Sequence, residues 1–170
     1  VPGFNVPDLR GDLLLLEGRH ALQQITGRLL DQGYRRLSFI GDVDYAQTNT
    51  DRYTGFLEAH RERGLTPDKS LCLTGPLGLH THYEEISEFL DALPAQPDAY
   101  VCASDYIAHY IQQYFDERGI PREGKIPLTG FDNNTEYSNV ANRITTVETQ
   151  TPTIGTRLAW RILFRLANPT

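Results

Sequence analysis

Apolar residues recur in two alternating rhythms along the chain. Short runs read as strands: "RLSFIG" (36–41), "SLCL" (70–73), "DAYVCA" (98–103), "KIPLTG" (125–130) and "ITTVE" (144–148). "GFNV" (3–6) and "LLLLE" (13–17) are two further short apolar runs near the start. Between them lie stretches with helical spacing. Leu22, Ile25 and Leu29 mark one face over 19–32, and Gly33 supplies the stop. Tyr53, Phe56, Leu57 and His60 do the same over 51–63. A capping-box pattern from Thr81 to Glu84 opens a helix over 82–92, with Ile86, Phe89 and Leu90 inward. Ser104 caps a helix carrying Ile107, Ala108, Ile111, Tyr114 and Phe115, which Gly119 ends. Thr151-Pro152 starts a last helix striped by Ile154, Leu158, Ile162 and Leu166. Short apolar strands alternating with amphipathic helices predict an α/β fold, a three-layer α/β/α arrangement around a mostly parallel sheet.

Composition narrows what such a fold can be for. At 170 residues the chain can bury one ordinary core, so it needs no disulfide, and Cys72 and Cys102 are expected to be free thiols. Its net charge of −6, with 16 basic residues scattered, offers no stripe for phosphates, so this stretch by itself is a poor nucleic-acid binder. The apolar run Leu13–Leu16 is far too short to span a membrane. The chain has no methionine and opens on a strand-like stretch, so it is expected to be a fragment of a longer protein.

In open α/β sheets, ligands collect at the carboxyl ends of the strands. Those ends here carry Gly41-Asp42, Thr74-Gly75, Ser104-Asp105, Gly130-Phe131-Asp132 and Glu148, with Arg52 near the start of the helix after the first. The set has no Gly-x-Ser-x-Gly elbow, Walker loop or Gly-x-Gly-x-x-Gly turn, and no nucleophile stands beside a base, which speaks against an enzyme. A carboxylate and a guanidinium are instead suited to gripping a polyhydroxylated ligand. Each candidate also has a plainer reading. Asp132, in "IPLTGFDNN" (126–134), can be a turn carboxylate satisfied by backbone N–H groups. Arg52 can be solvated or paired with Asp42 or Asp44, and Ser104 can be a plain N-cap. Asp105 favours its helix dipole and is assigned that structural role alone. His80-Thr-His82 has no third ligand and reads as a solvated loop, so neither a metal nor another cofactor is expected. Tyr106, Tyr110 and Tyr114 recur every four residues, as packing or a dimer face would.

Five stretches then occur in a recognisable order: "LLDQGYRRLSFIGD" (29–42), "DRYTGFLEAHRERGL" (51–65), "PDAYVCASDYIAHYIQQYFDERGIP" (97–121), "IPLTGFDNN" and "RITTVETQTPTIGTRLAWRIL" (143–163). Together they resemble the effector-binding core of LacI/GalR-family transcriptional regulators, which has the type I periplasmic-binding-protein-like fold. The resemblance implies that residues 1–7 are the last strand of a first lobe, 8–148 a second lobe and 149–170 a crossover helix returning to the first. The DNA-binding domain would lie outside the chain, and the apolar stripe of the last helix would be under-covered. It also implies a ligand-binding set of Thr48, Arg52, Ser104 and Asp132. Leu16 and Leu77 fall near positions where the family often places a stacking aromatic. Tyr34, Asn142-Arg143 and Gln150 depart from the family pattern outside this set.

The expected function is therefore that of a cytoplasmic, dimeric repressor's sensor domain. It would bind a sugar or sugar phosphate and meet operator DNA only through the absent helix-turn-helix. The alternative is a periplasmic sugar-binding protein of a transporter.

Overall fold

The computed structural model describes residues 16–80, 82–121 and 126–168. The expected strand over 3–6, most of 13–17, the capping Thr81 and the two C-terminal residues lie outside them. Five α-helices and three strands follow: α1 (Gly18–Asp31), β1 (Leu37–Ile40), α2 (Gln47–Glu62), α3 (His82–Ala92), β2 (Ala99–Cys102), α4 (Asp105–Glu117), β3 (Leu128–Thr129) and α5 (Thr151–Ala167). The strands pair in parallel in the order β1-β2-β3, with Leu37 opposite Ala99 and Tyr100 opposite Leu128.

Two predicted strands shrink to isolated bridges. Leu73 pairs with Ile40 on the outer edge of β1, and beyond β3 Thr145 pairs with Thr129 and Glu148 with Asp132. In the first, the Asp68 carboxylate takes the Ser70 N–H at 2.9 Å and winds Lys69–Leu71 into a 3-10 turn, leaving only the end of "SLCL" extended. Counting these bridges as edge strands gives a spatial order 2-1-3-4-5, that of a doubly wound sheet. Its topological switch point lies between β1 and β2.

Alternation along the strands divides the core between two helical layers. Leu37 and Phe39 of β1, with Ala99 and Val101 of β2, face α1 and α2 through Leu22, Leu30 and Phe56. Ile40, Tyr100 and Cys102 face the opposite layer, formed by Ile86, Ile111 and Phe115 of α3 and α4. Gly55 lets α1 and α2 cross closely, because a Cβ there would sit 2.0 Å from the Arg19 carbonyl oxygen. Both cysteines are free, Cys102 buried and Cys72 half-buried, and burial raises both thiol pKa values.

His60 is buried on α2 with its ring against Phe56, and its Nδ1–H donates to the Phe56 carbonyl at 2.9 Å. Burial holds its pKa below the ordinary 6.5, and nearby Arg63 lowers it further. Its folded pKa is depressed, so the stability gained from a neutral ring is present above 6.5 and lost as pH falls below it. The melting temperature should therefore be flat near pH 8 and decline towards pH 5. His60→Asn, which keeps a donor without a titrating ring, should flatten that decline in thermal scans across this range.

α5 differs from the other helices. None of its residues is buried, and Trp160, Ile162, Leu163, Phe164 and Leu166 are all more than half exposed.

Candidate functional site

The switch point between β1 and β2 opens into a cavity of about 490 Å³. Its floor is made by the two strand ends, Gly41-Asp42 after β1 and Ala103-Ser104 after β2. Glycine at 41 is required by the close approach of those ends, since a Cβ there would lie 2.3 Å from the Ala103 Cβ. The α2 side supplies Thr48, Asn49 and Arg52, and the segment before α3 supplies Leu77 and Leu79.

Arg52 is 6% exposed, deep for a guanidinium. α2 begins at Gln47, six residues before Tyr53, the first apolar-periodic position, so Arg52 stands in its second turn beside the sheet ends. Its Nη1 donates to the Ala103 carbonyl at 2.6 Å, and its guanidinium lies 3.7 Å from the Phe131 ring centroid. Nη2 faces the Asp132 carboxylate at 3.6 Å, and Nε has no partner. Burial lowers the Arg52 pKa, opposed by Asp132 and Asp105. Burial likewise raises that of Asp132, with Arg52 pulling it down and Asp105 pushing it up. Burial thus works against the charged form of each partner, and their mutual attraction works for it.

The loop after β3 explains "GFDNN". Asp132 has φ of 105° and Asn133 φ of 50°, both in the left-handed region, and a non-glycine residue at 105° is strained. What holds the strain is Asp105. This carboxylate is 2% exposed and accepts from the Asn134 N–H and from the Thr146 hydroxyl, each at 2.7 Å. The Asp105 N–H donates to the Phe131 carbonyl at 2.8 Å. Gly130 leaves room for the carboxylate, since a Cβ there would be 2.0 Å from its Oδ1. Asp105 therefore does more than balance a helix dipole: it pins the turn that presents Asp132. The Asn134 side chain accepts from the Glu136 N–H at 2.8 Å, which makes it a turn former.

Of the six residues expected from the sequence, Thr48, Arg52, Ser104 and Leu77 line this one cavity, and Asp132 adjoins it through Arg52. Ser104 also caps α4, its hydroxyl oxygen accepting from the Ile107 N–H at 3.4 Å. Leu16 lies elsewhere, in a separate concavity lined also by Phe131, Val147, Glu148 and Ile154. Arg52 is paired with neither Asp42 nor Asp44. The Asp42 carboxylate is occupied by the backbone N–H groups of Asp44, Tyr45 and Leu77.

The sequence reading missed Tyr45, Tyr106 and His82, which also line the cavity. His82 packs edge-on against Tyr106, whose hydroxyl pairs with that of Tyr110 at 2.8 Å. The regular four-residue spacing of the tyrosines was visible, but nothing in it told cavity from core.

Residues 26–170 match the model of the periplasmic binding protein-like domain, most of the chain. Relatives include the HTH-type transcriptional regulator RegA of Clostridium saccharobutylicum, 31% identical over 84% of this chain and 43% of its own length. The GalR regulator of Escherichia coli is 25% identical over 91% of this chain and 45% of its own. The chain spans less than half the length of these curated relatives. Among solved structures, a complex of the transcriptional regulator CelR with cellobiose superposes with a TM-score of 0.83, at 23% identity, over 99% of this chain and 52% of that one. A LacI-type regulator from Bifidobacterium animalis superposes at 0.79, also at 23% identity, over 94% of this chain and 60% of that one. These likenesses give the same fold as the sheet order does. The chain belongs to the periplasmic binding protein-like family, and these relatives are transcriptional regulators rather than enzymes.

Proposed function

We propose that this periplasmic-binding-protein-like chain is the effector-binding portion of a LacI-type transcriptional regulator. It senses a sugar or sugar phosphate and alters operator binding by a helix-turn-helix domain elsewhere in the protein. The observation that carries this reading is the meeting of Thr48, Arg52 and Ser104 on one switch-point cavity, with Asp132 3.6 Å from Arg52. Arg52 and Asp132 offer a donor and an acceptor to hydroxyl groups, and Thr48 and Ser104 offer hydroxyls of their own. Leu77 forms part of the apolar wall, and Leu16 would touch only a ligand that reached past Phe131.

In the same reading, residues 8–148 form one lobe and 149–170 return to a first lobe ending at residues 1–7. The uncovered stripe of α5 supports this, since Trp160 is 69% and Leu166 74% exposed. Ligand held between two lobes favours their closed arrangement, and a homodimer in the cytoplasm passes that bias to its DNA-binding heads. Among the described residues no helix is long and apolar enough to cross a membrane.

The test is a thermal-shift screen of the full-length protein against sugars and sugar phosphates. A hit should raise the melting temperature of the parent but not of Asp132→Ala. A hit that stabilises parent and variant equally would place the ligand elsewhere.

A further inference from the structure

We propose that the effector is an uncharged saccharide laid with one ring face on Tyr45, and that phosphate esters are excluded; this rests on the sugar-sensing reading above. Charge carries the first half. Among the described residues lining the cavity, Arg52 is the one Lys or Arg, and its charge is already committed. Its Nη1 is on the Ala103 carbonyl, its Nη2 faces Asp132, and Phe131 covers one face of the plane. Asp42 lines the same cavity, and Asp132 and the buried Asp105 lie close enough to Arg52 to act on it. On this lobe's side of the cleft, three carboxylates against one guanidinium make a net negative face, which a dianionic phosphate would approach against repulsion.

A phosphate could also seek the α4 N-terminus, which opens beside Ser104. That end already has Asp105 in its first turn, and the Ile107 N–H already donates to Ser104. A neutral polyol needs no counter-charge. It exchanges hydroxyl hydrogen bonds with Arg52 and Asp132, whose remaining Nη2 and carboxylate sites suit that exchange.

Exposure carries the second half. Tyr45 and Leu79 line the cavity yet are 64% and 74% exposed, so large apolar surface stands open at its mouth. Leu77, Tyr106 and Ile107 continue that surface inward. The polar edge of Arg52 and Asp132 and the apolar wall that runs from Tyr45 to Ile107 together suit a ring with equatorial hydroxyls at its rim and C–H bonds on its face. Tyr45 supplies rigid, amphipathic area for that face.

The experiment is calorimetric titration of the full-length protein at about pH 7.5 with matched pairs: glucose and glucose 6-phosphate, trehalose and trehalose 6-phosphate, with maltose and cellobiose beside them. The neutral member of a binding pair should be the tighter by about tenfold or more, the scale of one unfavourable charge contact. Tyr45→Ala should weaken the neutral ligand by about tenfold, and Tyr45→Phe should leave it within about threefold. Tyr45 is an exposed loop residue, so neither change threatens the core. A phosphorylated member that binds as tightly as its parent sugar overturns the charge argument. Unchanged affinity in Tyr45→Ala overturns the stacking platform. Silence from both series would instead overturn the sugar-sensing reading itself.

Discussion

Arg52→Ala should reduce effector affinity by about tenfold to 100-fold, because a hydrogen bond to a charged group is worth about 1.5–3 kcal/mol and Nη2 is left to make one while Nη1 is held by the Ala103 carbonyl. The substitution also strands Asp132, whose pKa is already raised by burial and is lowered only by Arg52. The folded domain should survive. Arg52 gives up one bond to the Ala103 carbonyl and its contact with Phe131, but the protein also no longer buries a charge. Arg52→Lys should behave much like the alanine variant, since an ammonium cannot reach the Ala103 carbonyl, cover Phe131 and face the ligand together. Calorimetric titration with the effector found by screening, alongside far-ultraviolet circular dichroism, separates the two effects. Affinity within about threefold of the parent would move the grip away from Arg52.

Asp105→Ala should be the most destabilising change at the site. It removes the acceptor of two 2.7 Å hydrogen bonds in a region only 2% exposed and leaves the Asn134 N–H and Thr146 hydroxyl unserved. The expected loss is about 3 kcal/mol, a fall in melting temperature of about 6–12 °C for a domain of this size. Asp105→Asn keeps one acceptor oxygen and should cost about half as much. Both variants should also weaken the effector, since the left-handed turn at Asp132 and Asn133 loses its brace. Chemical denaturation reads the first effect and titration the second. A stable Asp105→Ala variant would mean that the turn holds itself.

The helices were legible because each repeats apolar residues on one face, and Ser104 and Gly119 bound α4 as their chemistry dictates. The start of α2 was not, since Gln47 to Thr50 are polar and leave no periodic mark. The strands over 70–73 and 144–148 also misled. An apolar alternation describes burial, whereas pairing depends on a neighbour, and these segments meet their neighbours only at isolated bridges. At the site, Arg52, Ser104 and Asp132 were marked by their place at the strand ends, whereas Thr48 was named from the family pattern alone. Asp105 was underrated because a carboxylate at a helix start already has a sufficient local reason to be there. Its distant partners, Gly130 and Thr146, come together only on folding. Tyr45 is a single aromatic in a polar stretch, and its value lies in where the chain leaves it.

Arg52 is held between Phe131 and the Ala103 carbonyl by contacts within the protein itself. The rotamer entropy of a long flexible side chain, about 2 kcal/mol for arginine, is therefore surrendered during folding and not at recognition. A ligand meeting this preorganised arm keeps more of its contact energy as affinity.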